Sequence, residues 1–185
     1  HLGKGNIDMA RFEALWELQY LPIKIKALPE GAAVSMKVPL FTVVNTHPEF
    51  SWLTNYLETV ISCSLWKPCF VATLIREYRR LVNKFADETV GNRNHTDFQL
   101  HNFAARGCCG IEDMTTSGAA FALSSLGTDS VAAIDYLEEY YGANAEMEII
   151  GLSVPASEHA VPRHPAPPRR APGRRHRWRG RGCTG

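Results

Sequence analysis

Residues 101–113 read HNFAARGCCGIED, and four chemistries draw on those residue types. Phe103 offers a flat π-face for stacking. Arg106 offers a fixed fork of N–H donors that matches phosphate or carboxylate oxygens. Cys108 and Cys109 offer thiols for a metal or for nucleophilic attack. Zinc sites space their cysteines by about two to four residues so that both reach one ion. Here the two are adjacent, no second pair follows, and His95 and His101 lack ligand spacing. A thiol nucleophile needs a base and a lowered pKa, and neither is legible in sequence. A small core cysteine is the commoner outcome.

The remaining reactive residues carry weak signals taken singly. Arg106 alone reads as a surface residue more often than as an anion ligand. Asp129 reads as a helix cap, and Asp135, Glu138 and Glu139 as solvated helix charges. His159, beside Glu158, reads equally as a surface turn or as an acid or base. No GxxxxGK[ST] segment occurs, which excludes an ordinary P-loop nucleotide site.

These residues need elements to position them. PLFTVV at 39–44 is rich in β-formers. Thr46 and Glu49 have capping-box spacing, and Pro48 suits a first turn. Phe50, Leu53, Leu57, Val60 and Ile61 then recur at helical spacing. A second helix is expected from the stripe Val71, Leu74, Ile75, Tyr78, Leu81, Val82 and Phe85, packed on its apolar face and closed by Gly91. FQLHNF at 98–103 reads as a short strand, and residues 112–125 as loosely helical. SVAAIDYLEEYYG reads as a helix with Asp129 as N-cap and Gly142 past its end. EIIGLSVPASEH at 148–159 reads as a strand ending in a polar turn. Strands alternating with helices indicate an α/β fold with ligands at the strand ends.

Composition suits a globular chain: 185 residues, 45% of them apolar. No apolar run approaches the roughly 18 residues of a membrane span, and five irregularly spaced cysteines point to a reducing compartment. The net charge of +1 conceals two segments. Residues 1–161 hold 12 Lys and Arg against 19 Asp and Glu, whereas residues 162–185 hold eight Arg and no acid. From residue 160 the text becomes Arg, Pro and Gly with little to bury, so disorder is expected there. Such a segment is what a shifted reading frame in GC-rich DNA yields. The alternative is a basic tail that makes the chain a non-catalytic nucleic-acid-binding protein.

The segments LPEG, LFTVVNTHPEFSWLTNYLETVI, FAARG, LGTDSVAA, YYG and SVPASEH follow one another in this order. As an ordered set, over about residues 15–159, they resemble the nicotinamide phosphoribosyltransferase family, type II phosphoribosyltransferases of NAD salvage. The resemblance implies an α/β fold: part of an N-terminal mixed α/β domain over 1–50 and the first part of an incomplete β/α barrel over 51–159, followed by the tail at 160–185. It implies a glycosyl transfer that joins nicotinamide to phosphoribosyl pyrophosphate, releasing pyrophosphate and nicotinamide mononucleotide. Phe103 would stack on nicotinamide, Arg106 would lie toward the phosphate end, and Asp129 would accept a hydrogen bond from the carboxamide. Ser153 would sit near the phosphates, and His159 would be phosphorylated when ATP hydrolysis is coupled. Mg²⁺ would accompany phosphoribosyl pyrophosphate. The implied setting is a cytoplasmic homodimer, and an internal fragment of such an enzyme is expected to be inactive alone. A nicotinate phosphoribosyltransferase is the related alternative. Departures from the pattern are Ala104 and Ala105 before the arginine, and Cys109 and Gly110 where serines are usual.

Overall fold

The computed structural model describes residues 9–154. Helix α1 (Ala10–Leu18) opens it and stops where Gln19 turns left-handed at φ 59°. Strands β1 (Ile23–Ala27) and β2 (Phe41–Asn45) pair antiparallel, with Ile23 opposite Asn45 and Ala27 opposite Phe41. Of these, only β2 is legible from sequence. Helix α1 carries no buried residue.

A 3-10 turn at Pro48–Phe50 leads into helix α2 (Leu53–Thr89). Proline opens that turn as expected, but the Thr46–Glu49 capping box does not form: His47 is the N-cap and makes no side-chain capping bond. The two helices read from the sequence are one helix of 37 residues that runs through Pro68. The proline lacks an N–H, so the Ser64 carbonyl loses its usual donor. The Ser64 hydroxyl meanwhile donates to the Val60 carbonyl at 3.0 Å.

The expected packing of the α2 stripe is only partly realised. Leu53 and Ala86 are buried, whereas Leu74, Tyr78, Leu81 and Phe85 are 37–52% exposed. Helix α2 meets β2, α3 (Ile111–Ala122) and the turn at Thr96–Phe98, too few elements to cover it all round. By length and composition α2 could also cross a membrane, its most apolar window having a mean hydropathy of 1.2. Its Lys67 and Arg79 are ion-paired with Asp113 and Asp97, both outside the helix.

The expected strand at 98–103 is shorter, because residues 96–98 wind into a 3-10 turn. What remains is β3 (His101–Asn102), parallel to β4 (Gly127–Thr128). Leu152 adds a parallel bridge to Gly127, the one strand-like contact in the described part of 148–159. Gly127 has to be glycine for contact reasons: a Cβ there would stand 2.6 Å from the Leu100 carbonyl and 2.8 Å from His101 Nδ1. Helix α4 (Val131–Tyr141) ends at Gly142 with φ 69°, the left-handed stop read from the sequence. Helices α3 and α4 pack closely, since a Cβ on Gly118 would meet the Ala133 Cβ at 2.7 Å. Buried Ala119, Ala120, Phe121, Ala133 and Ile150 fill this half, while Phe50 and Leu53 fill the other. The described residues are therefore mixed α/β, with a short parallel sheet beside its helices.

Candidate functional site at the parallel strand ends

Strands β3 and β4 end in the same way. Asn102 and Thr128 are register partners, and both are buried. The Asn102 Oδ1 accepts the N–H of Ala104 at 2.9 Å, and the Thr128 Oγ1 accepts the N–H of Ser130 at 3.0 Å. Each is a side chain bonding its own backbone two residues on, which turns the chain out of the strand. The residue inside each turn, Phe103 or Asp129, is exposed. A backbone bond from Asp129 N–H to the Asn102 carbonyl, 3.3 Å, ties the two turns together. On the far side of β4, Ser153 follows Leu152 and is also exposed. Three of the sequence-derived site residues thus leave neighbouring parallel strands at one end. His159 lies outside the described residues.

Phe103 is 51% exposed and has one ring face covered by His101, with centroids 4.2 Å apart and planes 29° from parallel. Among the described residues neither nitrogen of His101 finds a hydrogen-bond partner, although both are buried. Phe103 leads into a 3-10 turn, Ala104–Gly107, that carries Arg106. Phe103 and Arg106 line one cavity of about 550 Å³ together with Lys67, His101, Cys108 and Phe121. Asp129 and Ser153 are not among its lining residues. A separate cavity of about 330 Å³ between β2 and α2 contains none of the sequence-derived residues.

The expectation that Asp129 caps α4 is corrected. Ser130 holds the N-cap position, with no side-chain capping bond. Thr128 accepts the Ser130 N–H, which keeps Asp129 inside the turn that leaves β4, so the helix starts one residue later.

A salt bridge stands at the cavity wall. Lys67 Nζ lies 2.5 Å from Asp113 Oδ2 and 3.8 Å from the Cys108 sulfur. Asp113 also accepts the Cys109 N–H at 2.7 Å and the Ser117 hydroxyl at 3.2 Å. The Lys67 hydrogen bond, helped by the Cys109 N–H, holds the Asp113 carboxyl below the usual carboxylate range. The same hydrogen bond raises Lys67. Lys67 and Asp113 are 46 positions apart, and no motif in the sequence relates them. Cys108 keeps its thiol toward the Ala104 carbonyl at 3.3 Å. Among the described residues no three of His, Cys, Asp and Glu gather as they would around a metal ion.

A pH dependence follows from the lowered Asp113. A carboxyl depressed on folding stabilises above its unfolded pKa, about 3.9, and that contribution is lost as pH falls through the folded value. Asp113→Asn should therefore flatten the acid limb of stability below about pH 4. Urea midpoints of both proteins between pH 7 and pH 3 measure this; parallel curves would mean that the pair adds nothing.

No protein-family model matches the chain. Curated relatives do. A nicotinamide phosphoribosyltransferase of Acinetobacter baylyi is 49% identical over 160 residues, covering 86% of this chain and 31% of the relative. One from Xanthomonas campestris pv. campestris is 33% identical over 142 residues, covering 76% and 29%. One from Mycoplasma pneumoniae is 28% identical over 145 residues, again covering 76% and 29%. The chain is therefore similar to these nicotinamide phosphoribosyltransferases, and it spans about a third of the length of the relatives it matches.

Proposed function

We propose that this chain carries the nicotinamide-reading part of a phosphoribosyltransferase of NAD salvage. The observation that supports it is the shared end of β3 and β4, where an aromatic ring and a carboxylate emerge from paired turns. Phe103 has one face on His101, which leaves the other for a pyridine ring. Asp129 is uncommitted to capping and can accept an N–H from the carboxamide. Arg106, on the turn after Phe103, has the charge for phosphate oxygens of phosphoribosyl pyrophosphate. Lys67 is already neutralised by Asp113, so it is a wall of the cavity rather than the phosphate ligand.

In the reaction proposed, the pyridine nitrogen of nicotinamide attacks the anomeric carbon of phosphoribosyl pyrophosphate. The bond to pyrophosphate breaks, and its electron pair leaves with the pyrophosphate. The chain contributes orientation of the ring and a fixed acceptor for its amide. Mg²⁺ accompanies the phosphoribosyl pyrophosphate substrate in this scheme. Placement of the strand ends within a β/α barrel, a second copy of the chain at the site, coupling to ATP through His159 and a contact from Ser153 to phosphate all belong to the same proposal and rest on the family resemblance.

Calorimetric titration of nicotinamide into the 185-residue chain tests the reading. Binding that Phe103→Ala weakens by roughly 10-fold or more, the loss of an aromatic contact of about 1.5 kcal/mol, is expected. A chain that folds by circular dichroism and shows no binding defeats it.

A further inference from the structure

We propose that Asn102 and Thr128 are a matched pair of positioning residues that set Phe103 and Asp129 side by side as one reading edge for a flat aromatic amide. The proposal deepens the nicotinamide reading and rests on it. Neither residue needs to touch the ligand; each fixes the neighbour that does.

The geometry is specific to this pair. The two residues sit opposite one another in the β3–β4 register and are only 7% and 9% exposed. Each uses its side-chain oxygen on the N–H two residues later, at 2.9 and 3.0 Å. A short side chain with an oxygen at that reach is what such a turn requires. Because the strands are parallel, two like turns at paired positions point their middle residues the same way. The bond from Asp129 N–H to the Asn102 carbonyl then makes the spacing of Phe103 and Asp129 a property of the backbone. A valine in place of Thr128 keeps the volume and removes the acceptor, so the buried Ser130 N–H loses its partner.

The two members have separable signatures. Phe103 offers stacking to any pyridine ring, so loss of its turn should weaken nicotinamide and nicotinate alike. Asp129 distinguishes amide from acid, so loss of its turn should change the preference between them. A general loss of stability also weakens both ligands alike, so the urea midpoints separate it from loss of the Phe103 turn; it does not change the preference between the ligands.

The experiment uses the full 185-residue chain and the variants Thr128→Val, Thr128→Ser, Asn102→Leu and Asn102→Asp. Dissociation constants for nicotinamide and nicotinate are measured by direct and competition calorimetry, alongside urea midpoints and amide exchange at Ala104 and Ser130. Thr128→Val should lower the preference for nicotinamide roughly 10-fold, about 1.4 kcal/mol, and speed exchange at Ser130. Thr128→Ser, which keeps the oxygen, should restore both. Asn102→Leu should weaken both ligands about equally with the preference intact, and Asn102→Asp should recover the affinity. If Thr128→Val does not stay folded, the equal loss in Asn102→Leu and its recovery in Asn102→Asp carry the decision. Wild-type binding with a preference unmoved by Thr128→Val, or Asn102→Leu affinities unchanged, overturns this inference and leaves the nicotinamide reading standing. Wild type that binds no nicotinamide overturns both.

Discussion

Asp129→Asn should cost nicotinamide binding about 1.5–3 kcal/mol, a roughly 10- to 150-fold loss, while nicotinate gains in relative terms. The carboxylate accepts an N–H from the amide of nicotinamide in the reading proposed here. Toward nicotinate it presents only a second negative charge, a repulsive element of the kind that specificity is built from. Asparagine preserves shape and removes the charge. The exposed side chain and the capping position taken by Ser130 argue that the substitution leaves α4 intact. Competition titrations of the two ligands on wild type and variant give the ratio, and thermal melts check the fold. A ratio that fails to fall would return Asp129 to the status of an ordinary surface acid.

Phe121→Ala should destabilise the protein by about 3–5 kcal/mol. Phe121 is 7% exposed on α3, the helix that packs against both α2 and α4. Its ring also lines the cavity shared by Phe103 and Arg106, so truncation removes apolar burial and enlarges an existing void. Urea unfolding monitored by circular dichroism measures the loss. A cost below about 1 kcal/mol would show that α2 and α3 collapse readily into the space and that the cavity wall is compliant.

Legibility from sequence followed periodicity and punctuation. Helix α4 and its stop at Gly142 were readable because an apolar repeat ends in a glycine with φ 69°. Strand β2 was readable from its run of β-formers. Helix α1, only nine residues long, and strand β1, only five residues long, are too short to stand out from sequence. The apolar residues at 50–61 and 71–85 read as two helices, whereas the chain is one helix over Leu53–Thr89 that packs against β2 and α3. Asp129 reads as a cap from its place before Ser130, but the helix begins one residue later, with Ser130 at its N-cap. At the site, Phe103, Arg106, Asp129 and Ser153 came from an ordered resemblance; residue type alone would have left each a surface residue. Asn102 and the Lys67–Asp113 bridge are not legible in sequence, because their meaning lies in register and in contacts between distant segments.

The proline inside α2 gives that helix an uneven stiffness. Helices bend where a rung of the ladder is missing, and here the missing rung adjoins Lys67, whose ammonium reaches Asp113 at the cavity wall. One arm of the lever is seated on β2 and the other on α3. Bending at that rung would move Lys67, the one α2 cation that lines the Phe103 cavity among the described residues.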